Sequence, residues 1–121
     1  MTGSEPCRSP AEDAGRADRI RHLNDQFRTT FLGGKVMLTP GIQDHAGSAL
    51  PSLLMQVRKF DRFDARNDPY AEHDFGGFEW EGETIFWKID YYDSDLLMGS
   101  PDPADPAVTT RVLTIMLGWE Y

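Results

Sequence analysis

His73, Lys88, Asp90 and Tyr92 are the residues of this chain best suited to do chemistry together, on condition that a β-hairpin brings them to one surface. They fall in the stretch EHDFGGFEWEGETIFWKIDYYD, residues 72–93. Glu81-Gly82 reads as a two-residue turn between aromatic-rich β segments, and the register follows by counting outward. Trp80 then pairs with Glu83, Phe78 with Ile85, Gly76 with Trp87, Phe75 with Lys88 and His73 with Asp90. Side chains alternate along a strand. Ile85, Trp87, Ile89 and Tyr91 therefore share a core face with Phe78 and Trp80, while Phe86, Lys88, Asp90 and Tyr92 share the other with Phe75 and His73.

On that second face the Lys88 stem rests on Phe75 and Phe86 while its ammonium meets a carboxylate. Asp90 lies roughly 7 Å along the same face. A His–Asp pair beside lysine and tyrosine is an acid–base group, because a carboxylate holds the imidazole in one tautomer. Together with the neighbouring Asp74, this makes His73, Asp74, Phe75, Lys88, Asp90 and Tyr92 the candidate binding residues. The same constellation is also what surface cross-strand pairing produces, each pair contributing well under about 1 kcal/mol. Surface pairing is the first reading, ligand binding the second and catalysis the third, so no residue is assigned as catalytic.

Other templates fail on spacing. Asp68, Glu72, His73 and Asp74 lack the Asp-x-Asp-x-Asp-Gly pattern of calcium loops and the paired histidines of zinc helices, and no metal is expected. There is no Gly-x-Ser-x-Gly. Gly33-Gly34-Lys35 follows a helix, where a phosphate loop would open one, and reads as a helix stop. Cys7, the one cysteine, stands in a polar tail and permits no internal disulfide. No cofactor is expected, and a non-enzymatic role is favoured over an enzymatic one.

The elements that must carry these residues follow from apolar spacing. Residues 1–15 form a polar, proline-containing tail expected to be disordered, followed by a single domain over 16–121. Ile20, Leu23, Phe27 and Phe31 predict a helix from about Arg16, with Arg16, Arg19, Arg21 and Arg28 on its polar side. KVMLT at 35–39 predicts a strand, 42–47 a polar loop, and Ser48 the N-cap of a helix over 49–60. Asn67-Asp68-Pro69 marks a turn within a charged linker. SPDPADPA at 100–107 is irregular. The stretch 109–119 predicts a strand, with a helix as the alternative. The sum is an α+β fold: two helices packed on one face of a roughly four-stranded antiparallel sheet with a central β-hairpin.

Charge is unevenly placed. Residues 1–60 carry eight Lys/Arg and six Asp/Glu, whereas 61–106 carry three and thirteen, within a formal net charge of −8. Such an acidic half repels phosphate backbones, so no direct nucleic-acid contact is expected; a basic protein partner fits it better. The aromatic face of Phe75, Phe86 and Tyr92 also allows a homodimer. No apolar run reaches the ~20 residues of a membrane helix, no membrane association is expected, and the cytoplasm is the expected compartment.

LNDQFR at 23–28, HDFG at 73–76, FWKIDYYD at 86–93 and SPDPADPAVTTRVLTIML at 100–117 together resemble a bacterial family catalogued as domain of unknown function 3768. The resemblance covers roughly residues 17–121. It implies no activity, cofactor or catalytic residue. It implies a bacterial, alphaproteobacterial setting, often plasmid-rich or mobile, and with it plasmid maintenance, regulation or evasion of host defence.

Overall fold

The computed structural model describes residues 10–121, with side chains from residue 14 onward. Cys7 and the rest of residues 1–9 lie outside the described residues. Helix α1 spans Pro10–Thr30, beginning within the stretch expected to be a disordered tail. After strand β1 (Gly34–Leu38) come α2 (Pro40–Ala46), a 3-10 turn at Gly47–Ala49 and α3 (Leu50–Arg58). Strands β2 (Phe75–Trp80), β3 (Glu83–Tyr92) and β4 (Thr110–Leu117) complete the sheet.

The fold is α+β as expected, but its sheet is mixed. Strand order is β1-β4-β3-β2, with β1 parallel to β4 and the other two pairs antiparallel. The expectation of a wholly antiparallel sheet is corrected by the route of the chain. The helical segment 40–58 and the hairpin intervene between β1 and β4, so β1 reaches its neighbour by a long crossover, the kind of connection that parallel pairing needs. The strand expected over 109–119 forms as β4, and it pairs on both sides.

The region expected to be a polar loop at 42–47 lies largely in α2. Thr39 caps it by accepting the Ile42 N–H at 3.3 Å, and Pro40 occupies the first turn, where its missing N–H costs nothing. Ser48 is not the N-cap of the next helix: it sits inside the 3-10 turn, and Ala49 opens α3 without a side-chain cap.

Phe27, Ile42, Leu53 and Val57 from the helices pack against Phe78, Ile85, Trp87, Ile89, Leu113, Ile115 and Leu117 from the sheet. These strand positions lie opposite one another across the ladders and two apart along each strand, so they share the face that the helices cover and the opposite face is left open. Glu81 and Gly82 have φ of +50° and +81°, the left-handed pair required at the tip of a tight hairpin. Gly76 faces the core under Trp87, where a Cβ would fall 2.6 Å from its Nε1 and 2.7 Å from the Phe60 ring. Only glycine fits there.

Candidate functional site

The β2–β3 register is the one counted from Glu81-Gly82: Trp80 opposite Glu83, Phe78 opposite Ile85, Gly76 opposite Trp87 and Phe75 opposite Lys88. Lys88 and Asp90 accordingly share the open face, where they form an ion pair at 3.1 Å with side chains 42% and 37% exposed. Beside them the rings of Phe75, Phe86 and Tyr121 cluster with centroids 5.3–5.6 Å apart. Tyr92 lies on this face too, opposite Thr110. A half-exposed pair of this kind is worth about 1 kcal/mol or less and is screened by salt.

His73 does not join them, and the expected pairing with Asp90 is not formed. Two residues just before the strand, Ala71 and His73, take left-handed φ of +55° and +54°. Asp68 holds that bend: its Oδ1 accepts the backbone N–H of Glu72 at 3.0 Å and of His73 at 3.1 Å. The ladder therefore begins at Asp74, whose carbonyl accepts the Ile89 N–H, and His73 turns to the helix side of the sheet. There its ring stacks on Phe63 at 3.7 Å and 6°, and Nδ1 donates to Asp25 Oδ1 at 2.8 Å. Nε2 lies 3.6 Å from Asp68 Oδ2. The ring lines a cleft of about 410 Å³ together with Phe63, Asp64, Ala65, Asp68, Pro69 and Ala71. None of these supplies a hydroxyl or thiol nucleophile, and each imidazole nitrogen already faces a carboxylate. Asp74 lies between the two groups; burial, then the charges of Glu72, Asp68 and Asp90, push its carboxyl above the usual range.

Sequence reasoning missed a buried polar network behind the hairpin. Asn24, fully buried on α1, accepts from Arg111 Nε at 2.7 Å and donates to the Glu72 carbonyl at 2.9 Å and to Tyr91 Oη at 2.8 Å. Tyr91 in turn donates to Glu72 Oε1 at 2.9 Å. Arg111, 3% exposed, also donates to the Pro103 carbonyl and lies over the Tyr91 ring at 5.2 Å. Burial pushes the Tyr91 phenol well above its ordinary range and lowers Arg111, the latter partly offset by Tyr91 and Glu72.

Arg28 is likewise buried, which corrects its expected place on the polar side of α1. It donates to the carbonyls of Val57 and Arg58, both at 3.1 Å, at the C-terminus of α3, where a cation also meets the negative end of the helix dipole. The signal in sequence was the spacing Ile20, Asn24, Arg28: one residue per turn on the buried face of α1.

At the hairpin-turn end of the sheet, Glu120 ties the chain's last turn to α2. Its carboxylate accepts from Thr39 Oγ1 at 2.7 Å, Leu117 N–H at 2.8 Å and Gly41 N–H at 3.1 Å. Burial acts to raise this carboxyl, but the three hydrogen bonds outweigh it and hold the group below its ordinary value. Beside this clasp opens a cleft of about 820 Å³ lined by Pro40, Asp44, His45, Glu83, Leu117 and Trp119 among others. Among the described residues, no group of three or more His, Cys, Asp or Glu side chains is disposed to hold a metal ion. No described helix is long and apolar enough to cross a membrane.

Fold and site together define a small α+β domain with helices on one face of a mixed sheet and polar networks joining the layers. The chain belongs to the family described as protein of unknown function (DUF3768), whose model matches residues 38–120. That match takes in the hairpin, Tyr91 and Arg111 but not Asn24 or Arg28. Among curated proteins and solved structures, none matches the chain.

Proposed function

We propose that the protein is a non-enzymatic interaction module that binds a basic protein partner through the acidic end of its hairpin. The observation that carries this is how charge is distributed in the fold. Arg28 and Arg111 are buried, Arg16 is paired with Asp102, Arg21 with Asp18 and Lys88 with Asp90. Glu79, Glu81, Glu83, Asp93 and Asp95 have no Lys or Arg within ion-pair distance among the described residues, and Glu79, Glu81 and Asp95 are exposed. Several cations are consumed internally while anions remain at the surface, which steers association with a basic patch. The bacterial, mobile-element setting and the cytoplasmic location expected from sequence belong to this same reading.

The Pro/Asp loop at 100–107 contributes less. Asp102 is held by Arg16 at 2.8 Å, and Asp105 accepts the Ala107 N–H of its own turn at 2.9 Å. The reading of His73, Lys88, Asp90 and Tyr92 as one catalytic or ligand-binding cluster has lost its geometric support, since His73 faces the opposite layer.

The test is affinity capture from bacterial extract at low and moderate salt, beside a Glu79→Gln/Glu81→Gln/Glu83→Gln variant, with each captured protein then purified and titrated. The reading requires a basic protein that binds the parent chain, weakens with salt and weakens again on the variant. A partner indifferent to both salt and the three substitutions refutes it.

A further inference from the structure

Resting on the basic-partner reading, we propose that the cleft between α2, Glu83 and the C-terminal turn is the place where an arginine side chain of the partner is seated. This cleft, about 820 Å³, brings together the carboxylates of Asp44 and Glu83 with the indole of Trp119 and the side chains of Gln43 and His45. No lysine or arginine lines it, and neither carboxylate has a cationic partner among the described residues.

Two observations separate the cleft from an ordinary acidic surface. Trp119 is 74% exposed at its rim, so a large aromatic face stands open to a cation within a few ångströms of its centre. His45 Nε2, in another lining residue, is shielded from solvent and has no hydrogen-bond partner, its ring edge-on to Trp80 at 5.8 Å. Buried polar groups are normally paired, so the wall of this cleft carries one unsatisfied polar atom. An indole face beside two carboxylates suits guanidinium over ammonium. Guanidinium is planar, less strongly hydrated and able to stack while its N–H groups fork toward carboxylates.

Glu120 fixes the site's geometry without lying in it: its three hydrogen bonds hold the turn carrying Trp119 against the start of α2. The cleft is therefore preformed, and little ordering is needed on binding.

The experiment titrates the full chain with blocked Gly-Arg-Gly, Gly-Lys-Gly and Gly-Glu-Gly peptides while following backbone amide and indole N–H shifts. The arginine peptide is expected to move the Trp119 indole and the Asp44 and Glu83 amides, saturably and more tightly than the lysine peptide, with no effect from the glutamate peptide. Trp119→Ala, Asp44→Asn and Glu83→Gln should each weaken it by about two- to five-fold, and Glu81→Gln or Asp95→Asn should not. Trp119 and Asp44 are exposed, so these variants retain the fold, and their amide spectra verify that. Equal response to lysine and arginine, or shifts located elsewhere, overturns the proposal. If the partner captured from extract binds the Trp119→Ala/Asp44→Asn variant unchanged, the cleft is refuted while the basic-partner reading stands. If no basic partner is found at all, that reading fails whatever the peptides do.

Discussion

Asn24→Ala tests whether the network behind the hairpin holds the domain together. The side chain is fully buried and makes three hydrogen bonds, to Arg111 Nε, the Glu72 carbonyl and Tyr91 Oη. Two of these are neutral, worth about 1 kcal/mol each, and the bond to the guanidinium is worth about 1.5–3 kcal/mol. Truncation also leaves Arg111 Nε without its partner in a buried position, and the Glu72 carbonyl without its partner in a half-buried one. The expected loss is therefore about 3–5 kcal/mol, a large share of the 5–15 kcal/mol typical of such domains.

Urea denaturation followed through the fluorescence of Trp87, which is wholly buried, reads this out as a midpoint lowered by about 2 M. Tyr91→Phe, which removes only the hydroxyl, is the milder arm, with about 1 kcal/mol expected. Combining Asn24→Ala with Arg111→Met completes a cycle in which the double variant loses less than the sum of the singles. An Asn24→Ala midpoint equivalent to less than about 1 kcal/mol, or strictly additive losses, refutes the account of a coupled network.

Two further outcomes follow from carboxylates with opposite displacements. Asp74 is raised by burial and by Glu72, Asp68 and Asp90, so its ionised form opposes folding above its native value, and the penalty is relieved as pH falls through it. Asp74→Asn should raise thermal stability at pH 7, with the advantage shrinking toward pH 4; a loss at neutral pH contradicts this. Glu120 is held below its ordinary 4.5, so its stabilisation is complete above that value and is lost as pH falls through the lower native one. Glu120→Gln should melt below the parent at pH 7 and converge with it in acid, and a constant difference across pH removes the charge from the explanation.

How far the sequence could be read depended on whether a local rule set the geometry. Glu81-Gly82 needs two left-handed residues and nothing distant, so the hairpin register and both of its faces could be counted from the turn. The same counting failed at His73 because Asp68, five residues upstream, captures two consecutive amides and bends the chain before the ladder starts. Parallel pairing of β1 with β4 joins Gly34 to Arg111, a contact across most of the domain that no local pattern encodes. The Thr39-Pro40 cap of α2 is written in the sequence, since proline suits a first helical turn, but the polar residues of 42–47 pointed to a loop.

The burial of Arg28 and Asn24 carries a more general physical lesson for this fold. Apolar spacing on α1 pointed to Ile20, Leu23, Phe27 and Phe31, yet the buried face is Ile20, Asn24, Phe27 and Arg28, and Leu23 remains half-buried. The rotation follows from what the rest of the domain leaves unpaired. The end of α3 presents the carbonyls of Val57 and Arg58, the bend before β2 presents that of Glu72, and the Pro/Asp loop presents that of Pro103. Asn24, Arg28 and Arg111 are long or forked donors that answer these carbonyls from inside, whereas leucine cannot. Two arginines are thereby withdrawn from the surface, which makes the charge displayed there more negative. The internal hydrogen-bonding requirement and the external charge are two consequences of one arrangement, so Arg111→Met should weaken the fold without altering the charge displayed at Glu79, Glu81 and Glu83.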